Sequence, residues 1–564
     1  LDSGDYLIYD ENYRYDGSKR ARKMLYLSCG TEVIEFDQVK DQLWVPNLAE
    51  RIMRGETINS PKLSDLDLCD LIPRVEKQDG PRGEYRFKIT PRRGGLGQTV
   101  VSVNGLEVMR LNQAQLTRQG KEYLLVLRAA DVEPFFVAGE ENRVSVRAFT
   151  EKNDIGSRGD PVAVEDKRER ILPSLHAVVV GVTDYKGNAI DLRLAAKDAR
   201  DFSQALEIST SKFFSRDGID RVHIYTAHTD PGRTHFPDKA SIRALFDSIG
   251  RKAGPSDVLL IFFSGHGVTH DNQFYFLTAD ASSLADPTVA GISSLELFDW
   301  IHPSRIVAQK RVLILDACNS GQAISDVVRV GSGDQAYAMT RNLSEVEYLK
   351  ALDKMGERSG LFILSAAASN QSAFEMGRYG QGVLTYALLR SVKEDESILD
   401  AGGLLQVGRW FTAAEKIVGE IASTTGARQQ PQMVSASPFP VGLVDDEVRS
   451  RIVLAEEKPV FTNVNFQDEA MPTDLLGLNT LLDKELQAYS TRGTEHSISF
   501  YPGSTLPEAV RLSGRYRVSG TNVSINVFVM RRGAVQFDFT VSGERGNLEA
   551  LARSLVDRVV KEVR

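Results

Sequence analysis

A histidine set between two glycines and a cysteine ahead of Asn-Ser-Gly are the side chains best suited to chemistry in this chain. Ser264-Gly265-His266-Gly267 closes the apolar run Val258 to Phe263, and Asp316-Ala317-Cys318-Asn319-Ser320-Gly321 closes the run Arg311 to Leu315. A lone cysteine after an apolar run is most often a core residue. Here it follows its run, and a histidine at the end of a similar run lies 52 positions earlier. A histidine within reach of a thiol takes its proton and later protonates the leaving amine. His266 as base and Cys318 as nucleophile therefore point to a cysteine hydrolase. Gly265 and Gly267 clear side chains from around the imidazole. The backbone N–H groups of Gly267 and Cys318 are the expected oxyanion donors.

Such residues work only if the fold delivers them together. Both runs have the length of buried strands, and an open α/β sheet presents ligands to the carboxyl ends of its strands. The 52-residue separation leaves room for a crossover helix, so two adjacent parallel strands would bring imidazole and thiol to one sheet edge. Strands at Leu175 to Val182, Val222 to Tyr225 and Gly360 to Ser365 alternate with helices at Leu194 to Leu206, Lys239 to Ile249, Leu295 to Trp300, Val383 to Val392 and Leu404 to Ile421. That alternation is the α/β signature with a largely parallel sheet. The stretches Gly321 to Gly360 and Asn370 to Gly382 read as active-site loops or disordered segments.

The flanking sequence divides into further units. Residues 1–84 are irregular, with short strands at Lys23 to Leu27 and Glu32 to Phe36 and a helix at Asn47 to Met53. Residues 85–155 show alternating strands, and Asn104-Gly105 marks a hairpin turn, so a small immunoglobulin-like β-sandwich is expected. Residues 156–170 read as a linker, 171–445 as the α/β unit, and 446–564 as a small α+β domain. The fold class is thus multidomain, with the α/β unit central. A chain of 564 residues is long enough for this.

The formal net charge of -8 argues against nucleic acid as a partner, and no apolar run reaches the length of a membrane helix. Cys29 and Cys69 have no evident partner and read as structural. Three cysteines make no disulfide framework and fit a reducing compartment, so a cytoplasmic location is expected. A start at Leu1 instead of methionine suggests a fragment or a processed product, from which a targeting signal could be missing. No histidine and cysteine share metal-ligand spacing, so no metal or cofactor is expected, with calcium activation left open.

The two boxes resemble the histidine and cysteine boxes of the caspase-like peptidases, the clan that includes metacaspases and their bacterial relatives. Their spacing is similar to the caspase figure of about 50 residues. Leu175 to Tyr185, Ala195 to Asp201 and Ser365 to Glu375 also resemble the clan's pattern. The resemblance spans about 170–440 and implies a caspase-haemoglobinase fold, a Cys–His dyad and endopeptidase activity. Metacaspase-like members select Arg or Lys at P1, the substrate residue before the cut bond. They do so with acidic groups, and the matching positions here are Asp316 and Asp198, with Ser264 lining the same slot. Carboxylates facing a partly buried slot suit a guanidinium or ammonium. Asn319 stands where those enzymes often have histidine, so calcium ligands are not carried over. The flanks resemble a bacterial subfamily in which a β-propeller and an immunoglobulin-like module precede the peptidase; residues 1–84 would then be a propeller remnant.

An enzyme of this specificity meets candidate self-cleavage sites at Arg329 and Arg341 in the long loop and at Arg168 and Arg170 in the linker. Its partners would be protein or peptide substrates, with accessory domains available for protein partners. The competing expectations are a silent caspase-fold adaptor, a cysteine hydrolase or transferase acting on something other than protein, and a structural array.

Overall fold

The run Val258 to Phe263 in the central sheet is apolar and buried at every position because helices cover both faces of that sheet. A computed structural model describes the chain apart from residues 1–5, 23, 30–31, 160, 232, 272, 286, 318–319, 321–359, 367–374, 377–378, 426–428, 430, 435–436, 455–457, 492–497, 502–508 and 564. The central sheet is built from β1 (Leu175–Gly181), β2 (Val222–His228), β3 (Val258–Gly265), β4 (Lys310–Ala317), β5 (Leu361–Ser365) and β6 (Gln432–Val434). Their order is β2-β1-β3-β4-β5-β6, with the first five parallel and β6 antiparallel to β5.

Alternate residues of a strand point to opposite faces. On β3, Leu260 and Phe262 join the core beneath α1 (Ala195–Phe214), α3 (Val383–Glu394) and α4 (Val407–Thr425), while Leu259, Ile261 and Phe263 join the core beneath α2 (Lys239–Gly250). The capping signals are local ones: Asp238 accepts the Ser241 N–H at 2.8 Å to start α2. The helix expected from Leu404 begins later than its apolar residues suggest. Leu404–Gln406 is a strand paired with Pro440–Leu443, and α4 follows it.

Ahead of this unit stand two four-stranded antiparallel sheets, one ordered Arg74–Gln78, Glu84–Thr90, Glu122–Arg128, Thr117–Gln119, the other Val162–Glu165, Glu141–Ala148, Thr99–Val103, Leu106–Leu111. Asn104 and Gly105 both take positive φ at the hairpin turn. The sheets extend beyond the 85–155 expectation on both sides, and Val162–Glu165 lies in the stretch expected as linker. Both added strands are short edge strands of their sheets.

The N-terminal residues collect around Tyr15, Phe36, Trp44 and Ile72. Here one expectation is overturned: Cys29 and Cys69 are not unpartnered but form a disulfide, with Cα atoms 5.4 Å apart across 40 residues of sequence. The hairpin Tyr26–Cys29/Glu32–Glu35 and the turn Leu68–Asp70 flank one small core, and no local sequence signal reports that proximity.

The C-terminal unit has a four-stranded sheet (Asn465–Asp468, Arg511–Ser519, Asn522–Arg531, Ala534–Glu544) packed on the helices Leu478–Thr491 and Leu548–Val563. The sandwich and the central unit meet at Gln309, whose side-chain amide donates to the Phe135 carbonyl at 2.6 Å. Val307 packs against the sandwich core. Among the described residues no helix is long and apolar enough to cross a membrane.

Candidate active site

His266 stands one residue beyond β3, where the chain leaves the sheet for the strand Gly267–His270. Its backbone is held on both sides: the N–H donates to the Tyr185 hydroxyl at 2.9 Å, and the carbonyl accepts from Leu277 N at 2.9 Å. The ring lies 5.2 Å from that of Tyr185. A Cβ at Gly265 would sit 3.0 Å from the same hydroxyl and 3.1 Å from Phe276, so only glycine lets the tyrosine approach this closely.

The imidazole Nε2 is 2.7 Å from the carbonyl oxygen of Ile190. A carbonyl only accepts, so Nε2 carries the hydrogen, and a neutral ring then keeps its lone pair on Nδ1. That tautomer is the one a base needs in order to take a proton at Nδ1. The Ile190 turn is itself braced, with Tyr185 N donating to Asp191 Oδ1 at 2.9 Å and Leu192 N to Thr183 O at 2.9 Å.

The register between β3 and β4 pairs Ser264 with Asp316 and Gly265 with Ala317, so both boxes arrive at one edge of the sheet. Cys318 and Asn319 lie outside the described residues, as do Gly321, Arg329 and Arg341.

Asp316 and Asp198 come from different elements and converge on the first turn of α3. Asp316 Oδ2 accepts from the Thr385 N–H at 3.1 Å and from its hydroxyl at 2.6 Å. Asp198, in the first turn of α1, accepts the Gly382 N–H with both oxygens at 3.1 Å and the Ser264 hydroxyl at 3.3 Å. A Cβ on Gly382 would lie 2.6 Å from Asp316 and 2.9 Å from Asp198, so the pair closes around that glycine. The start of a helix offers unpaired N–H donors and favours negative charge beside it. Two carboxylates, 1% and 7% exposed, are thereby held at the same sheet edge as His266.

The structure thus brings His266, Ser264, Asp316 and Asp198 to one region and starts the Gly267 strand there. It leaves Arg168 and Arg170 at the opposite edge, before β1. Sequence reasoning missed Ile190, Gly382 and Thr385. The first two act through backbone atoms, which carry no side-chain signature; the third is a threonine at an expected helix start, a signal that was present. Among the described residues no group of three histidines, cysteines or acids is placed to hold a metal ion.

Residues 174–440 match the family model described as "Caspase domain", and this part of the chain is a caspase-like peptidase domain. The crystal structure of caspase-1 from Spodoptera frugiperda is similar at 10% identity, with 49% of this chain and 92% of that chain covered and a TM-score of 0.30, a likeness too low to carry an argument. No curated protein matches the chain.

Proposed function

We propose that the chain is a cysteine endopeptidase that cuts after Arg or Lys, with Cys318 as nucleophile and His266 as base. In this scheme the thiol proton passes to His266 Nδ1 and the sulfur bonds to the P1 carbonyl carbon. The oxyanion is held by the N–H groups of Gly267 and Cys318. The C–N bond then breaks, the amine leaves with the proton from His266, and water hydrolyses the acyl-enzyme. The observation that carries the basic preference is the convergence of Asp198 and Asp316 on Gly382, beside the strand end that carries His266. Two carboxylates in a slot favour a cation through charge-assisted hydrogen bonds, and a guanidinium can serve both at once.

Self-processing belongs to the same reading, with Arg168, Arg170, Arg329 and Arg341 as its candidate sites. The Cys29–Cys69 disulfide favours an oxidising compartment over the cytoplasm.

The test uses short fluorogenic peptides that differ only at P1. Turnover with Arg or Lys and none with Asp is the expected result, and Cys318→Ala removes it. Turnover confined to Asp would discard the assignment of Asp198 and Asp316, and turnover of none would discard the peptidase itself.

A further inference from the structure

The strand that follows His266 has an open edge beside the site. Gly267–His270 pairs with Gln273–Leu277 on one side only and lies at the margin of its three-stranded sheet. Which of its peptide groups face that margin follows from one bond: Leu277 N donates to the His266 carbonyl at 2.9 Å. In an antiparallel ladder, opposed residues alternate between pairs that exchange hydrogen bonds and pairs that do not. His266 and Leu277 stand one step before the pair Gly267 and Phe276, so the first pair is bonded and the second is not. Val268 then bonds inward to Tyr275, and the N–H and C=O groups of Gly267 and Thr269 point outward. Among the described residues no backbone bond reaches that edge. Gly267 is buried there, and a buried peptide group without a partner is costly.

The two faces of the central sheet separate the parts of a substrate. Asp316 and Asp198 bond to the start of α3, on the face covered by α1 and α3, so a P1 side chain enters from that face. His266 turns the other way. Tyr185 and Ile190 beside it, and Val268, Phe274 and Phe276 of the hairpin, belong to the core beneath α2. An imidazole that protonates the leaving nitrogen must reach it. The chain after the cut bond therefore lies on the hairpin's side, and Gly267 to His270 leads away from the sheet in that direction.

We propose that the substrate residues after the cut bond, P1′ to P4′, add to the open edge of Gly267–His270 as a parallel strand. This rests on the peptidase reading above, in which the Gly267 N–H holds the P1 oxygen. Parallel strands bond at even spacing, each residue reaching the partner residues before and after the one beside it. With P1′ beside Gly267, the Gly267 N–H meets the P1 oxygen and the Gly267 carbonyl accepts the P2′ N–H. Thr269 then gives its N–H to the P2′ carbonyl and accepts the P4′ N–H. The spacing agrees: Gly267 and Thr269 are roughly 6.6 Å apart along an extended strand, the repeat of two residues of extended substrate. Main-chain bonds of this kind supply affinity without demanding particular side chains. The enzyme is thereby fitted to cut inside a chain, several residues from its carboxyl end.

The test compares peptides with Arg at P1 that end, as amides, at P1′, P2′ or P4′. Each extension should raise kcat/KM about fivefold, the worth of one added hydrogen bond. Methylating the P2′ nitrogen should lower kcat/KM by about fivefold or more, while methylating the P3′ nitrogen, which faces away, changes it little. In Thr269→Pro the hairpin keeps its own bonds, because the N–H that is lost faces outward. That variant should cancel the gain from P1′ to P2′, and Thr269→Ala, which keeps the N–H, should retain it. No gain on extension, or equal penalties from methylation at P2′ and P3′, overturns strand addition. A P2′ gain that survives Thr269→Pro overturns the assignment to this edge. If P1-Arg peptides are cut at a rate indifferent to their length beyond P1′, this inference falls and the peptidase reading stands; if none is cut at any length, that reading falls as well.

Discussion

Strand β4 carries a buried charged residue near each end, and the two are held in different ways. Arg311, at its start, is 2% exposed and spends its guanidinium on three backbone carbonyls: Ala308 at 2.7 Å, Ile301 at 2.6 Å and Ile306 at 2.5 Å. All three lie within ten residues of it, and burial pushes the Arg311 pKa down to about 9. Asp316, at the other end, is joined to Thr385 across 69 residues and faces Asp198 around Gly382. At the amino edge a charge is consumed in tying one local loop. At the carboxyl edge two carboxylates from separate elements are gathered around the Gly382 amide and Thr385. Burial is common to the two; the sequence distance of their partners separates them.

The comparison is tested most severely by removing the proposed chemistry. Cys318→Ala and His266→Ala should each lower kcat/KM on a P1-Arg peptide by on the order of a thousandfold or more, with the urea midpoint little changed. Retained turnover in either would make the carboxyl edge as structural as the amino edge. Asp316→Asn should lower kcat/KM on P1-Arg by about 10- to 100-fold, the worth of one charge-assisted hydrogen bond. Arg311→Met should do the opposite: a loss of about 3 kcal/mol in urea unfolding as its carbonyls lose their donors, with the P1 preference unaltered. An altered preference in Arg311→Met would collapse the distinction.

Cys29→Ser should destabilise the N-terminal unit by about 4 kcal/mol on the chain-entropy model for a loop of this size. Limited proteolysis would report the loss there, while peptide turnover stays intact. The smallest effect concerns pH. Burial lowers the pKa values of His223 and His228 below the ordinary 6.5. The unfolded chain thus binds more protons than the folded one just below that value. Their contribution is whole above about pH 6.5 and declines as pH falls through the interval down to the folded pKa values. The urea midpoint should drop between pH 7.5 and 5.5, and less so in His228→Gln.

Much of this could be read along the chain. Val258 to Phe263 and Val312 to Leu315 are apolar at every position because both faces of their sheet are covered, and a run of that kind is visible without coordinates. The Asn104-Gly105 turn was equally plain, since few residue pairs accept positive φ in succession. The strands Arg74–Gln78 and Val162–Glu165 escaped notice because each is an edge strand of four or five residues, too short for its alternation to stand out from the charged chain around it.

What the sequence determined by itself was the periodicity of the strands, the placement of two reactive boxes behind two of them, and the acids available nearby. These are properties of side-chain type and order. Only the tertiary structure decided that the Ile190 carbonyl holds His266 Nε2, that the Gly382 amide and Thr385 hold the two acids, and that Cys29 meets Cys69. Each joins groups 40 or more residues apart, and most use backbone atoms that every residue has, so nothing in residue type could announce them.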